Sequence, residues 1–386
     1  MIGARISLAL LAAAFGIAQN LVRPVLAPHV TELGGDAVVV GIVLAAGAIG
    51  GLVIAIPIGT LMDRVGSTPV LVAGIAAMVA GGVWMSLATE PFALAAGYVL
   101  QGAGGVAVWV PAQAIATVAS DQATARRQVA TLSTAVLAGQ LLGPTIGGVA
   151  AQLADTRTAF AISAASAALA AASLLIPGRP SAHVAERATP RRGRTRAQFS
   201  RPGYATTLST SMVAMAVQTT VLGFLPLLLH QLAWGPGEIG VVMSLFGVGS
   251  MIARFAFPWI ARWLPHFLVT ATALVPSGVA LALVALAPRP AAIIACVMVA
   301  GFSVGLAQPL ALLIVARVVE PRERGHAVGM RTFGNRLVQT TLPVVVGGAT
   351  AVASLGMAFV GVGALAVLAA AVIAGRERRH DAEDPD

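Results

Sequence analysis

The chain has 386 residues, of which 58% are apolar and only 10% charged, and its mean hydropathy is +0.88. Soluble globular domains carry about 25% charged residues, so this balance excludes an ordinary soluble domain. A formal net charge of +9 would suggest nucleic acid in a soluble protein, but here most of the basic residues, all arginine, sit between and at the ends of apolar runs. The single cysteine, Cys296, lies inside such a run and reads as a small packing residue without a disulfide partner.

A hydrocarbon core about 30 Å thick is crossed by roughly 20 apolar helical residues. Breaking the chain where charge, Pro and Gly cluster gives first Arg5–Pro28, Ala37–Met62, Pro69–Ala88, Phe92–Ala119, Gln128–Leu153 and Thr158–Ile176. The first run continues through Gln19, Asn20 and Arg23 and lacks a small-residue cleavage site, so it reads as span 1 and not as a secretory leader. A polar stretch, 177–202, follows with Arg179, Arg187, Arg191, Arg192, Arg194, Arg196 and Arg201 against Glu186 alone. It cannot cross a bilayer and has little to bury. Six further spans follow, Gly203–Leu229, Ile239–Trp263, Phe267–Ala287, Ala291–Val318, Ala327–Ala351 and Leu355–Ala374, and then a charged tail from 376. The expected organisation is a six-helix bundle over 1–176, a linker over 177–202, a second bundle over 203–375, and the tail.

Arginine-rich loops stay cytoplasmic. With the N-terminus inside, 18 arginines fall in cytoplasmic segments and two, Arg157 and Arg289, outside, while Arg23, Arg254, Arg331 and Arg336 lie within spans. An asymmetry alternating correctly through twelve spans supports the count and places both termini and the linker in the cytoplasm. The halves also repeat: a shift of 199 residues pairs Gln19 with Gln218, Gly50 with Gly249, Gly102 with Gly301, Gln140 with Gln339, Pro144 with Pro343 and Phe160 with Phe359. One offset holding from span to span is what two parallel six-helix halves related by an axis along the membrane normal require.

Three motifs punctuate the first half. Span 2 ends in Gly59-Thr-Leu61-Met-Asp63-Arg64-Val-Gly66. Span 5 contains Gly139-Gln-Leu-Leu-Gly143-Pro144-Thr-Ile-Gly147-Gly148, whose glycines four apart form one smooth face for close backbone approach, with a proline that bends the helix. Span 4 contains Tyr98-Val-Leu-Gln101-Gly102-Ala-Gly104. Together these resemble the major facilitator superfamily: the first its G-x-L-x-D-R-x-G signature, the second the full g-x-x-x-G-P-x-x-G-G pattern of its drug:proton antiporters, the third half of R-x-x-q-G-x-g. The resemblance implies an all-α membrane fold of twelve helices in two pseudo-symmetric bundles, export of small molecules, and a conformational lock in which Asp63 faces the N-terminus of span 11. Tyr98 stands where the family pattern has Arg, and Ser67-Thr68 where it has basic residues, which puts proton coupling by the family's usual route in doubt.

No Asp or Glu falls near the middle of any span; Glu32, Asp36, Glu90 and Glu238 all fall at outer ends or loops. Polar and cationic residues do fall there, and these mark a transport path by default. At roughly 100° per residue, Arg331, Asn335, Arg336 and Gln339 share one sector of span 11. Arg336, about ten residues into the span, lies about 15 Å deep, beyond easy snorkelling. The expected solution is a wet cavity in which Arg336, helped by Arg23, meets a carboxylate, phosphate or electron-rich group. Tyr98, Gln101, Trp109 and Gln113 of span 4, Gln19 and Asn20 of span 1, and Gln218 of span 7 complete the candidate set. The alternative for each polar group is hydrogen bonding to a neighbouring helix, and Arg254 and Arg331 are near enough to the cytoplasmic face to snorkel. His29, His230 and His326 fall at helix ends and offer an alternative proton carrier.

Enzymes are not indicated: there is no H-E-x-x-H metal spacing and no G-x-x-x-x-G-K-[ST] phosphate loop. The expected partners are a small-molecule substrate, protons as coupling ion and the lipid bilayer, with no nucleic acid, metal or cofactor, and a monomer. Two other readings stay open, an importer or facilitator of an anionic solute and a transport-inactive sensor or assembly factor of the same fold. The topology has a direct check: Ser200→Cys should react with an impermeant thiol reagent only after permeabilisation, and labelling from outside intact cells would reverse it.

Overall fold

A computed structural model of the chain describes residues 2–117, 122–176, 204–264, 266–286, 289–318 and 324–383. These are almost entirely α-helical, as hydrocarbon demands: without water to bond stray amides and carbonyls, a crossing segment must satisfy its backbone internally. The helices are α1 (Ile2–Leu21), α2 (Arg23–Glu32), α3 (Ala37–Val65), α4 (Ser67–Leu87), α5 (Pro91–Thr117), α6 (Gln122–Leu153) and α7 (Thr156–Ala172), then α8 (Tyr204–Gln231), α9 (Pro236–Trp263), α10 (His266–Leu286), α11 (Pro290–Val318), α12 (Arg324–Ala349) and α13 (Leu355–Glu383). The polar stretch 177–202 lies outside the described residues.

Span 1 is divided. Pro24 follows the junction at Val22 and supplies no N–H, so the chain resumes as α2, with Leu26 N–H donating to Val22 O at 3.0 Å. Elsewhere one helix corresponds to one span. Eleven of the crossings are long and apolar enough to traverse a membrane. The remaining helix, α12, has 26 residues, about 39 Å at 1.5 Å per residue, but its polar stripe lowers its hydropathy.

The turns follow local chemistry. Asp36 caps α3 by accepting from Val39 N–H at 2.9 Å, and Asp155 caps α7 by accepting from Thr158 N–H at 2.6 Å. Between α3 and α4 a single residue, Gly66, closes one helix and opens the next with φ 83° and ψ 168°. That backbone region is essentially reserved to glycine. The last residue of the span 2 motif is thus fixed by the turn itself.

The chain divides into two compact units, Met1–Ala188 with Pro226–Ser244, and Thr189–Leu225 with Leu245–Asp386. In the first, α1 packs on α6 and α7, and α5 on α3 and α4. In the second, α10 packs on α11 and α13. The repeat seen in the sequence recurs in the contacts: a Cβ on Gly50 would collide with the Val99 backbone, and 199 residues on, a Cβ on Gly249 would collide with that of Met298. Likewise Gly102 abuts Gly47, and Gly301 abuts Phe246. Large apolar side chains such as Phe255, Trp259 and Leu365 are outward-facing and more than 60% exposed. Small ones, including Ala214, Ala253, Ala273, Ala307 and Ala370, fill the second unit's core. This distribution suits a molecule surrounded by lipid.

Replacing Gly66 by Ala should strain the α3–α4 turn by about 1–3 kcal/mol. Thermal unfolding of the purified protein in detergent should show the loss, and an unchanged transition would mean that the turn relaxes freely.

Candidate functional site

The sequence-derived polar residues separate into two kinds of environment. In the first unit Gln101 is 1% exposed; its Nε2 donates to Ala18 O at 3.1 Å and lies 3.0 Å from Ser163 Oγ, which itself donates to Ala18 O at 2.8 Å. Gln101 therefore ties α5 to α1 and α7, the interhelical role that was its alternative. Gln19 leans on Gly105 and donates weakly to Gln101 O at 3.4 Å. Asn20 is buried and donates to Gly16 O at 2.8 Å, one turn back in its own helix. Trp109 stacks on Phe15 with centroids 5.9 Å apart, and Gln113 is exposed near the end of α5.

Arg23 and Tyr98 differ from these. Both are half-buried and close enough to interact electrostatically, and Tyr98 lays its ring against Gly47 of α3. Neither makes a hydrogen bond to a described residue. The residue that replaces the span 4 arginine of the family pattern is thus a neighbour of an arginine from span 1.

The span 5 glycines meet two partners. Gly139, Gly143 and Gly147 face Gly16, Ile17, Asn20 and Leu21 of α1, so close that any Cβ would collide. Gly148 faces the other way, its added Cβ 3.0 Å from the Cα of Gly240 in α9, while the Pro144 carbonyl meets Gly240. Thr145 reinforces this contact with its N–H donating to Ser244 Oγ at 3.2 Å and its hydroxyl 2.8 Å from the same oxygen. Pro144, which cannot donate, leaves its helix able to bend where two contacts converge. Gly59 is buried, whereas Asp63 and Arg64 are exposed in the last turn of α3.

In the second unit α12 carries the expected stripe. Arg336 is twelve residues into the helix, about 18 Å along it, and half-buried; its Nη1 donates to Gln339 Oε1 at 3.1 Å, and Gln339 Nε2 lies 3.0 Å from Met215 Sδ. Arg331 turns to neighbouring helices. Its Nη1 donates to Gln308 Oε1 at 2.8 Å and to Ser211 Oγ at 3.2 Å, holding it among α8 and α11. Ser211 Oγ in turn donates to Asn335 Oδ1 at 3.0 Å. Ser211 and Gln308 were not among the residues singled out from the sequence. Gln308 had a signal, an amide inside the otherwise apolar span 10; Ser211 was hidden in the Thr- and Ser-rich start of span 7. Gln218 is half-buried without a hydrogen bond to a described residue, and Arg254 is exposed on α9.

No carboxylate pairs with Arg23, Arg331 or Arg336 among the described residues. His29 Nδ1 and Glu32 Oε2 lie 2.8 Å apart at the end of α2. Among the described residues no three His, Cys, Asp or Glu side chains gather as a metal site would need. An apolar groove of about 900 Å³ between α4 and α7, lined by Val79, Val83, Trp84 and Ala168 among others, contains none of the candidate residues.

A polytopic helical membrane protein with two repeats of one packing pattern and arginines inside its spans has the build of a solute transporter. The chain belongs to the Major Facilitator Superfamily, whose family profile matches residues 8–289 and 207–386. No curated protein matches it in sequence. Among solved structures it is similar to a bacterial homolog of the human lysosomal transporter Spinster, inward-facing and unoccupied, with TM-score 0.82, 14% identity, and 97% of this chain and 96% of that one covered. It is also similar to the nucleoside transporter NupG, with TM-score 0.82, 16% identity, and 96% and 99% covered. A peptide transporter POT gives TM-score 0.81, 13% identity, and 97% and 94% covered. At such identities these likenesses establish the shared fold of a membrane transporter.

Gly143→Leu should wedge α6 from α1 and abolish transport more completely than Asp63→Ala, which should leave membrane insertion intact and slow transport by about 5-fold or more. Transport assays beside a membrane-fraction immunoblot separate the two. Normal transport by both variants would remove any mechanistic role from these motifs.

Proposed function

We propose that this protein is a secondary active transporter that exports small organic molecules across the cytoplasmic membrane by alternating access, driven by proton entry, with both termini in the cytoplasm. The observation that carries the substrate site is Arg336. Gln339 holds one end of its guanidinium, and among the described residues the other nitrogens make no hydrogen bond and are not sealed off. A cation within a span needs water, an acceptor or an anion nearby. The stripe supplies few acceptors, so the substrate is the natural one. Arg23 and Tyr98 offer a second polar surface in the first unit.

Support for export comes from the complete glycine–proline motif of span 5, and its contacts explain why each small residue is needed there. Support for proton coupling is the resemblance alone. With no carboxylate in mid-span, His29 beside Glu32 is the titratable group most like a carrier. The arginines equally favour a second reading, entry of an anionic solute down its own gradient.

Overexpression should lower cellular accumulation of at least one compound in a panel of small organic molecules, and a protonophore should abolish the difference. A rise in accumulation, insensitive to the protonophore, would favour the second reading. In the same assay Arg336→Lys should retain part of the transport, and Arg336→Ala should lose about 90% or more, since lysine keeps the charge but not the planar fork. Full activity of Arg336→Ala would remove this residue from the site.

A further inference from the structure

The hydrogen bonds around α12 have a fixed direction, because a guanidinium donates and never accepts. Arg331 donates to Gln308 Oε1, so the Gln308 amide is left with its NH₂. Arg331 also donates to Ser211 Oγ, whose own hydrogen then goes to Asn335 Oδ1, leaving Asn335 with its NH₂. Arg336 donates to Gln339 Oε1, and the Gln339 NH₂ turns to the weak acceptor Met215 Sδ. Two arginines thereby orient the Gln308 and Gln339 amides, whatever amide atom was assigned as oxygen, since the reversed amide would place N–H against N–H; Ser211, accepting from Arg331 and donating to Asn335 Oδ1, links Asn335 to the same cluster.

Each amide oxygen in the cluster already accepts a hydrogen bond, and the Gln308 and Gln339 nitrogens face away from their arginines. Gln308 Nε2 and Asn335 Nδ2 make no hydrogen bond to a described residue, and neither is sealed among them. Arg331 Nε is buried without an acceptor, at a cost on the order of 1–3 kcal/mol. No carboxylate of a described residue balances the two charges. A site of this kind rejects ammonium groups, which would meet donors and positive charge, and accepts groups rich in lone pairs.

We propose that the cluster of Ser211, Gln308, Arg331, Asn335, Arg336 and Gln339 is a donor-only site for an organic oxyanion, a carboxylate or a phosphate-type group, with Ser211 and Gln308 setting its specificity. This rests on the transport reading above and names its substrate class. Arg336 and the Asn335 amide contact the anion, while Ser211 and Gln308 act as positioning residues by fixing which atoms of the cluster remain free. Changing Gln308 to Glu would place a built-in carboxylate against Arg331 and offer the site its own anion.

The test is binding to purified full-length protein in nanodiscs, read as the shift of its thermal transition with benzoate, phenylphosphonate, benzamide and benzylammonium at equal ionic strength. Benzoate, phenylphosphonate or both should stabilise the protein, and which one acts separates carboxylate from phosphate chemistry; benzamide and benzylammonium should not. The apparent Kd for the active probe should rise about tenfold or more in Arg336→Ala and in Gln308→Glu. It should stay unchanged in Arg289→Ala, an exposed loop arginine. Ser211→Ala, which frees the Asn335 amide to reverse, should narrow the preference for benzoate over benzamide. The proposal is overturned if neither anion binds, if benzylammonium binds as well as the anions, or if binding survives Gln308→Glu unaltered. Anion binding by a protein that moves no solute in vesicles would sink the transport reading and leave the donor-only site standing.

Discussion

Lipid tails are as apolar as leucine, so burying leucine against leucine gives membrane helices little reason to associate; they hold together where backbones come close enough for dispersion and polar contacts to act. The rest of this fold depends on such approaches. Gly16 meets Gly139, Gly47 meets Gly102, Gly278 meets Gly363, and in each an added Cβ would strike backbone atoms of the facing helix. Close seams of this kind fix which helices are neighbours. Where polar groups do lie on a seam they bond locally, as Asn20 does to Gly16 O and Thr145 to Ser244.

The resulting molecule exposes large apolar side chains such as Phe255 and Trp259 as well as burying others such as Phe224 and Phe359, and it carries much of its polar chemistry inward. The helix α12 shows what this arrangement costs. It is the crossing whose composition suits a membrane least, because it carries two arginines and two amides along one stripe. Arg331, Asn335 and Gln339 spend part of that polarity on hydrogen bonds to α8 and α11, whereas Arg336 bonds only within its own helix among the described residues.

Glutamine shows how one residue type takes two roles. Gln101 is sealed between three helices and its N–H groups bond to α1 and α7, so it acts as a strut. Gln308 and Gln339 sit beside arginines that claim their oxygens, so their N–H groups are turned toward what remains. The difference lies in the neighbour: a carbonyl takes the amide's N–H groups, whereas a guanidinium takes its oxygen. Ser211 extends the second pattern by accepting from Arg331 and donating to Asn335 Oδ1.

The sequence alone determined the number and placement of the crossings, because twenty-residue apolar runs and the alternation of arginine follow from solvent and length with no reference to tertiary contacts. It also determined the parallel repeat, the smooth face of Gly139, Gly143 and Gly147, and the gathering of Arg331, Asn335, Arg336 and Gln339, since periodicity within one helix fixes which residues share a side. Only the tertiary structure decided what each face meets. It put Gln101 among neighbouring helices, brought Tyr98 to Arg23, and joined Gln308 and Ser211 to Arg331 across separations of 23 and 120 residues. It also turned Gly148 from α1 to α9. Helical periodicity gives the azimuth of a side chain about its own axis, but the identity of the group opposite depends on how separate helices are rotated and shifted against one another, and no local pattern encodes that.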